Sequence, residues 1–254
     1  MSKHQVGYLI FGLFTTLYLY GFFTLSWPFI YFFIGVFIWL FFVIYGSFSI
    51  RSNYHVKAIN SVKTKEKVVA ITFDDGPTEY TPKAIELLNK YAQKATFFCI
   101  GERALKHKDI LFSIVENGHL IGNHTFSHSK KMGFKKTDEV IQEIHAADEV
   151  IEEIIGKKTK YFRPPFGVTN PSIRRALEKT NHLVIGWSIR SLDTIKKDET
   201  RIFKRIKKRI QPGSIILLHD TSMKSINILE QLLIYFVKEN YKSVTIEQLL
   251  NPKS

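Results

Sequence analysis

Thr72-Phe73-Asp74-Asp75-Gly76-Pro77 ends an apolar run that starts at Val68. The run reads as a buried β-strand, and Gly76-Pro77 stops it. Neighbouring side chains of a regular strand point to opposite faces, so one of the two carboxylates faces the core unless the turn bends the chain and brings both to one pocket. Adjacent carboxylates without a partner are costly at a strand end, and a metal ion or an arginine offsets that cost. Asp-Gly and Gly-Pro are also ordinary turn signals; alone, the stretch supports a solvated turn equally well.

Around this strand the chain alternates short β-branched or aromatic runs with stretches at helical period. Strands are expected at residues 68–73, 95–100, 119–123, 161–163, 183–189, 214–218 and 243–245. Thr81-Pro82 and Asn170-Pro171 read as N-cap and first helical residue, and Gly118 and Gly156 as C-terminal caps. Seven such repeats argue for a parallel sheet wrapped by helices, either open or closed. No Gly-x-Gly-x-x-Gly follows the first strand, which removes the main support for an open dinucleotide-binding sheet. A closed barrel puts its chemistry at the C-terminal strand ends.

Polar clusters recur at those ends. Asn123-His124-Thr125-Phe126-Ser127-His128 follows the third strand, and two His with one carboxylate form a common set of three metal ligands. Arg163-Pro164-Pro165-Phe166-Gly167 follows the fourth; its prolines stiffen a loop whose free amides suit an oxyanion, and its Arg suits a catalytic carboxylate. Trp187 to Thr194 includes Asp193, and Leu217-Leu218-His219-Asp220 closes the sixth strand. Taken singly, each also reads as a surface pair, a rigid turn or a structural histidine. Cys99 is the only cysteine; an intrachain disulfide is impossible, and its apolar strand marks a structural thiol.

The order of these motifs resembles the polysaccharide deacetylases, the NodB-homology group of carbohydrate esterases (family 4), over about residues 68–250. The resemblance implies a distorted (β/α)7 barrel and one divalent metal, usually Zn2+, in a hydrolase that removes N-acetyl groups from amino-sugar glycans such as peptidoglycan or N-acetylglucosamine polymers. Carried over residue by residue, it makes Asp75, His124 and His128 the metal ligands, Asp74 the general base and Arg163 the group that orients it. It makes the Phe166 N–H an oxyanion donor, His219 the general acid with Asp193 as its partner, and Leu217 the wall for the acetyl methyl. Metal-activated water would be deprotonated by Asp74, and His219 would protonate the departing amine. The family's fourth motif usually reads Asp-x-x-Asp-Trp; here it is Arg190-Ser191-Leu192-Asp193-Thr194. The pocket tryptophan is thus Thr194, which bears on substrate size and acyl group.

The N-terminal region is of another kind. Residues 5–50 contain no Lys, Arg, Asp or Glu, and residues 7–25 and 29–48, separated by Ser26-Trp27-Pro28, each reach the roughly 20 apolar residues that span a bilayer. The expected organisation is a transmembrane helical hairpin in residues 1–50, a basic linker in 51–67 and the catalytic domain in 68–254. A cleaved signal peptide fits less well, because the first run exceeds an h-region of about 7–15 residues and no Ala-x-Ala-like site follows. The formal net charge of +13 favours anionic partners, of which acidic lipid or a lipid-linked phosphate is nearest. No nucleic-acid motif accompanies it. In residues 201–210, Ile202, Phe203, Ile206 and Ile210 share one helical face and six Lys or Arg fill the other; this is a solvated barrel helix or a face resting on anionic lipid. Lys3, Arg51 and Lys57 against an uncharged connecting loop put both ends of the hairpin in the cytoplasm, whereas cell-wall glycans lie outside. A deacetylase or deformylase of a lipid-linked sugar, and an inactive sugar-binding module on the same scaffold, are the alternatives.

Overall fold

The computed structural model describes residues 2–251. In chain order the elements are α1 (Lys3–Leu25), α2 (Phe29–Phe48), β1 (Val68–Gly76), α3 (Thr81–Lys90), β2 (Ala95–Cys99), α4 (Gly101–Lys106), α5 (Lys108–Glu116) and β3 (Leu120–Asn123). There follow α6 (Thr137–Ile155), β4 (Tyr161–Phe162), α7 (Pro171–Thr180), β5 (Leu183–Val184), β6 (Ile189–Arg190), α8 (Glu199–Lys207), β7 (Ile215–His219), α9 (Met223–Glu239), β8 (Lys242–Ser243) and α10 (Ile246–Leu250).

The strands pair in the order β5-β4-β3-β2-β1-β7-β6, and β8 pairs with the start of β1. Every strand pair is parallel, so the crossover helices cover the sheet and its strands are buried on both faces. β1 lies at the centre, and the cluster around Phe73, Phe97, Leu218 and Leu232 fills the space between sheet and helices. Cys99 is buried there and burial pushes its thiol up, as expected of a packing residue.

The sequence predicts one strand over residues 183–189, but the chain forms two short ones. Ile185 N–H still bonds Phe162 O at 2.9 Å and Ser188 N–H bonds Ile215 O at 3.0 Å. Between them the chain passes from the β4 side of the sheet to the β7 side, so β5 and β6 are joined covalently and not paired. The gap is covered by residues 58–62: Ile59 bridges Ile185, Ser61 bridges Ser214, and Gly186 N–H bonds Ile59 O. Asn60 passes so close to Gly186 that a Cβ there would lie 2.1 Å from its Oδ1. The stretch expected to be a basic linker therefore lies along the barrel, with Val56 and Ala58 buried in the second core cluster beside Ile50.

Helix ends follow local chemistry. Asn170 caps α7 through its side chain with Pro171 behind it, and Gly156 ends α6 in the left-handed region. The expected Thr81 cap is corrected by one residue, to Tyr80. The Thr81 hydroxyl instead accepts from Thr78 N–H and donates to Asp220.

α1 and α2 form an antiparallel hairpin of 23 and 20 residues, in each of which an 18-residue stretch has a mean hydropathy of 1.6 and 2.4 respectively, long and apolar enough to cross a membrane. Its root is tied to the barrel by Thr169 N–H bonding Ser47 O at 2.9 Å and Arg174 bonding Ser2 Oγ at 2.9 Å, and its two ends are joined by Lys3 Nζ bonding Ser52 O at 2.7 Å.

Candidate active site

Both carboxylates at the end of β1 reach one cavity because the strand is irregular there. Pairing with β2 runs Asp74 to Phe98 and then Gly76 to Cys99, which leaves Asp75 as the extra residue of a bulge at φ 69°. A bulge re-aims a side chain, and here it turns Asp75 to the same side as Asp74. Left-handed backbone recurs around the cavity at Thr125, His128, Phe166 and Leu192. For such residues it costs about 1–3 kcal/mol each, a strain that concentrates at functional sites.

Asp75 Oδ1 lies 3.5 Å from His124 Nε2 and 3.2 Å from His128 Nε2, and one ligand atom from each of the three falls within 4.8 Å of the others. His124 Nδ1 is 2.6 Å from Arg163 O. That contact fixes the ring so that Nε2 faces Asp75. Burial, with the adjacent His124 ring, lowers His128 to about 4, so its ring is neutral near pH 7. Burial alone would raise Asp75, but the His124 hydrogen bond and the neighbouring imidazoles hold it below the usual carboxylate range. The set of two nitrogens and one oxygen, with no thiolate, suits a borderline divalent ion such as Zn2+ and leaves a coordination position open.

Asp74 is engaged differently. Its Oδ1 accepts from Arg163 at 2.7 Å, and its Oδ2 is 3.8 Å from His124 Nε2. Arg163 is fully buried and makes four hydrogen bonds: besides Asp74, it donates to Thr72 Oγ1 and to the carbonyls of Ile185 and Gly186. Its guanidinium lies 4.1 Å from the Phe98 ring centroid. A buried ion pair of this kind fixes orientation as much as it stabilises, and it leaves Asp74 Oδ2 for a substrate or water. The Arg163–Asp74 and His219–Asp193 pairs compensate their own charges, so Asp75 is the carboxylate left for an added cation.

After β4, the short turn from Pro165 to Gly167 bonds through Gly167 N–H to Pro164 O and Val168 N–H to Pro165 O. Phe166 N–H lies outside those bonds, and its ring, half exposed, stands 4.8 Å from the His128 ring.

His219 ends β7 with Nδ1 2.8 Å from Asp193 Oδ1. Asp193 is fully buried and also accepts from His219 N–H, Ser191 Oγ, Ser225 Oγ and Thr194 N–H. Burial opposes a charged imidazole, yet the Asp193 hydrogen bond and charge, with smaller contributions from Asp74 and Asp75, raise His219 to about 9. It is a cation at neutral pH, with Nε2 free of the Asp193 bond.

The cavity they enclose measures about 260 Å³ and is walled by Leu217, Trp187, Phe166 and Thr194, with Arg190 at its edge. All ten residues expected at the site are there or bonded to it, Arg163 and Asp193 from behind. The sequence reading left out four: Trp187, which supplies an aromatic wall against Gly167, Arg190, Ser225 on α9, and Asp220. Asp220 is fully buried, its Oδ1 has no partner among the described residues, and burial raises it to about 6. Its place directly after His219 in an apolar strand end was the available signal.

A sequence profile described as Polysaccharide deacetylase matches residues 61–185. A peptidoglycan-N-acetylglucosamine deacetylase of Bacillus cereus is 37% identical over 60% of this chain, though over only 56% of its own length. A second protein of that name from the same organism is 32% identical over 76% of this chain and 92% of its own. Among solved structures, a family 4 carbohydrate esterase pseudoenzyme from Bacillus anthracis superposes with a TM-score of 0.71 at 26% identity, covering 77% of this chain and 69% of that one. The fold is therefore the distorted parallel barrel of that group, and an intact fold does not by itself assure activity.

Proposed function

Because this chain belongs to the polysaccharide deacetylase family, we propose that it is a metal-dependent hydrolase that removes N-acetyl groups from an amino-sugar glycan, peptidoglycan or an N-acetylglucosamine polymer. The observation that carries this reading is the division of the two β1 carboxylates, one beside two imidazoles and one beside a buried arginine, opposite a charged His219. A scaffold kept only for sugar binding would have no need of all three.

Asp75, His124 and His128 would hold the ion, Zn2+ by its donor preference. When bound, a divalent metal acidifies water and polarises the acyl oxygen. The chain's own groups do the rest. Asp74, with Oδ1 anchored on Arg163, offers Oδ2 to the proton of the attacking water. Phe166 N–H donates to the acyl oxygen as it gains charge. His219 Nε2 gives its proton to the sugar nitrogen as the C–N bond breaks, and acetate and a free amine leave. Asp193 keeps that proton available at neutral pH. Leu217, with Trp187, excludes water from the acetyl methyl, and Thr194 leaves room on the side where the family pattern has tryptophan.

We further propose residues 1–50 as a membrane-embedded hairpin, residues 51–67 as its connection and residues 68–254 as the catalytic domain. A topology reporter fused just after Lys57 tests the side: activity of a periplasmic reporter alone contradicts the cytoplasmic placement that Lys3, Arg51 and Lys57 favour. The activity is tested by acetate release from N-acetylated peptidoglycan and chitooligosaccharides before and after chelation. Release that stops with chelator and returns with Zn2+ supports the proposal; no release from any N-acyl amino sugar by the metal-loaded protein overturns it.

A further inference from the structure

A cavity of about 890 Å³ lies apart from the catalytic cluster, lined by Arg51, Lys63, Lys208 and Arg209 together with Ser61 and Ser188, and by no Asp or Glu among the described residues. Three separate segments build it. Arg51 sits in the single turn directly after α2. Residues 61–63 run against residues 213–214 through the Ser61–Ser214 bridge and the Val62 N–H bond to Gly213 O at 2.9 Å. Lys208 and Arg209 follow the end of α8. The approach requires glycine at 213: its φ is 78°, and a Cβ there would fall 1.8 Å from Val62 O.

Four cations converging without a carboxylate repel one another, and an anion relieves that repulsion. Two facts narrow the anion. Only Ser49 and Ile50 separate Arg51 from the end of α2, which puts its guanidinium at headgroup depth if the hairpin spans the bilayer. The buried stripe of α8, Ile202 and Ile206, faces the barrel, so the helix's basic residues are left on the outside. Resting on the membrane reading of the hairpin, we propose that this cavity binds the phosphate of an anionic membrane lipid. The Ser61 hydroxyl and the Arg51 fork supply hydrogen bonds to its oxygens, and the lysines supply charge. The site also bears on the catalytic cavity: Ser188 lines one, while Trp187 and Arg190 in the same short segment line the other. A lipid held there fixes the barrel's orientation on the bilayer.

The test uses the full chain in nanodiscs of phosphatidylcholine doped with phosphatidylglycerol, with retained lipid counted by native mass spectrometry and inorganic phosphate as a soluble competitor. The expected result is preferential retention of phosphatidylglycerol, reduced about tenfold by the combined R51Q, K63Q, K208Q and R209Q variant. K83Q, K106Q, K157Q and K238Q, combined as a control of equal charge, should leave it unchanged. Loss in the control as large as in the cavity variant, or no preference in the wild type, overturns the proposal, as does retention of phosphate in place of lipid. Carbonate extraction reports the hairpin separately: a chain that washes off the membrane fails both readings, and one that stays without lipid preference fails only this one.

Discussion

Replacing Asp193 by Asn removes the charge that keeps His219 protonated. In the native site His219 is raised to about 9, with Asp193 the main opponent of the burial that would lower it. Without that partner the imidazole returns to about 6.5 or below. At pH 7.5 a group at about 9 is about 97% protonated and one at about 6.5 only about 9%, so a rate that depends on the imidazolium falls roughly tenfold. At pH 5.5 the second group is about 90% protonated and the difference nearly closes. A cation beside Asp75 weakens the contribution of that carboxylate in both proteins alike, which leaves the comparison intact. The assay is kcat for acetate release from pH 5.5 to 9.5. Asn cannot accept all five bonds that Asp193 now accepts, and the loss costs about 1–3 kcal/mol, so Tm is measured alongside. An alkaline limb at the same pH in both proteins, or a rate loss uniform in pH, would refute the acid role of His219.

Three other outcomes follow from the same geometry. The raised His219 stabilises the fold fully below about 6.5 and loses that contribution as pH rises toward about 9; urea unfolding of the metal-free protein should show stability falling across that window, and less so in Asp193→Asn. Asp220, raised to about 6 by burial, favours the folded state only while neutral, and its penalty is complete above that pH. Asp220→Asn should therefore stabilise the metal-free protein at pH 7.5 by up to about 3 kcal/mol and by little at pH 4; equal or lower stability at pH 7.5 contradicts this. Gly167→Ala strains a φ of 69° and puts a Cβ 2.4 Å from the Trp187 ring, so it should lower kcat/KM at least about tenfold while bound metal, read by atomic emission, stays the same.

The parts of this protein that could be read from sequence are those written in short stretches of chain. The strand–helix alternation, the Asn170 cap and the polar clusters after each apolar run are local signals, and together they give the barrel and the end of it that carries the chemistry. Harder to read was anything that depends on a neighbour. The fate of Asp74 and Asp75 turns on a bulge that exists only in register with β2, which the Gly-Pro turn by itself does not specify. The split of residues 183–189 depends on the segment around Ile59 pressing against Gly186, more than a hundred residues away in sequence. Trp187 points to the cavity as a consequence. Ser225 reaches Asp193 from a helix that begins after β7, and no pattern near Asp193 announces it.

The division of labour between the two carboxylates is tested most directly by measuring bound metal and acetate release together in Asp74→Asn and Asp75→Ala. Asn at 74 keeps an oxygen for Arg163 and so spares the buried pair. The account predicts that Asp74→Asn retains its metal and loses release by at least about a hundredfold, whereas Asp75→Ala loses both. An Asp74→Asn protein that releases acetate at the wild-type rate, or an Asp75→Ala protein that binds metal as tightly as the wild type, would contradict it.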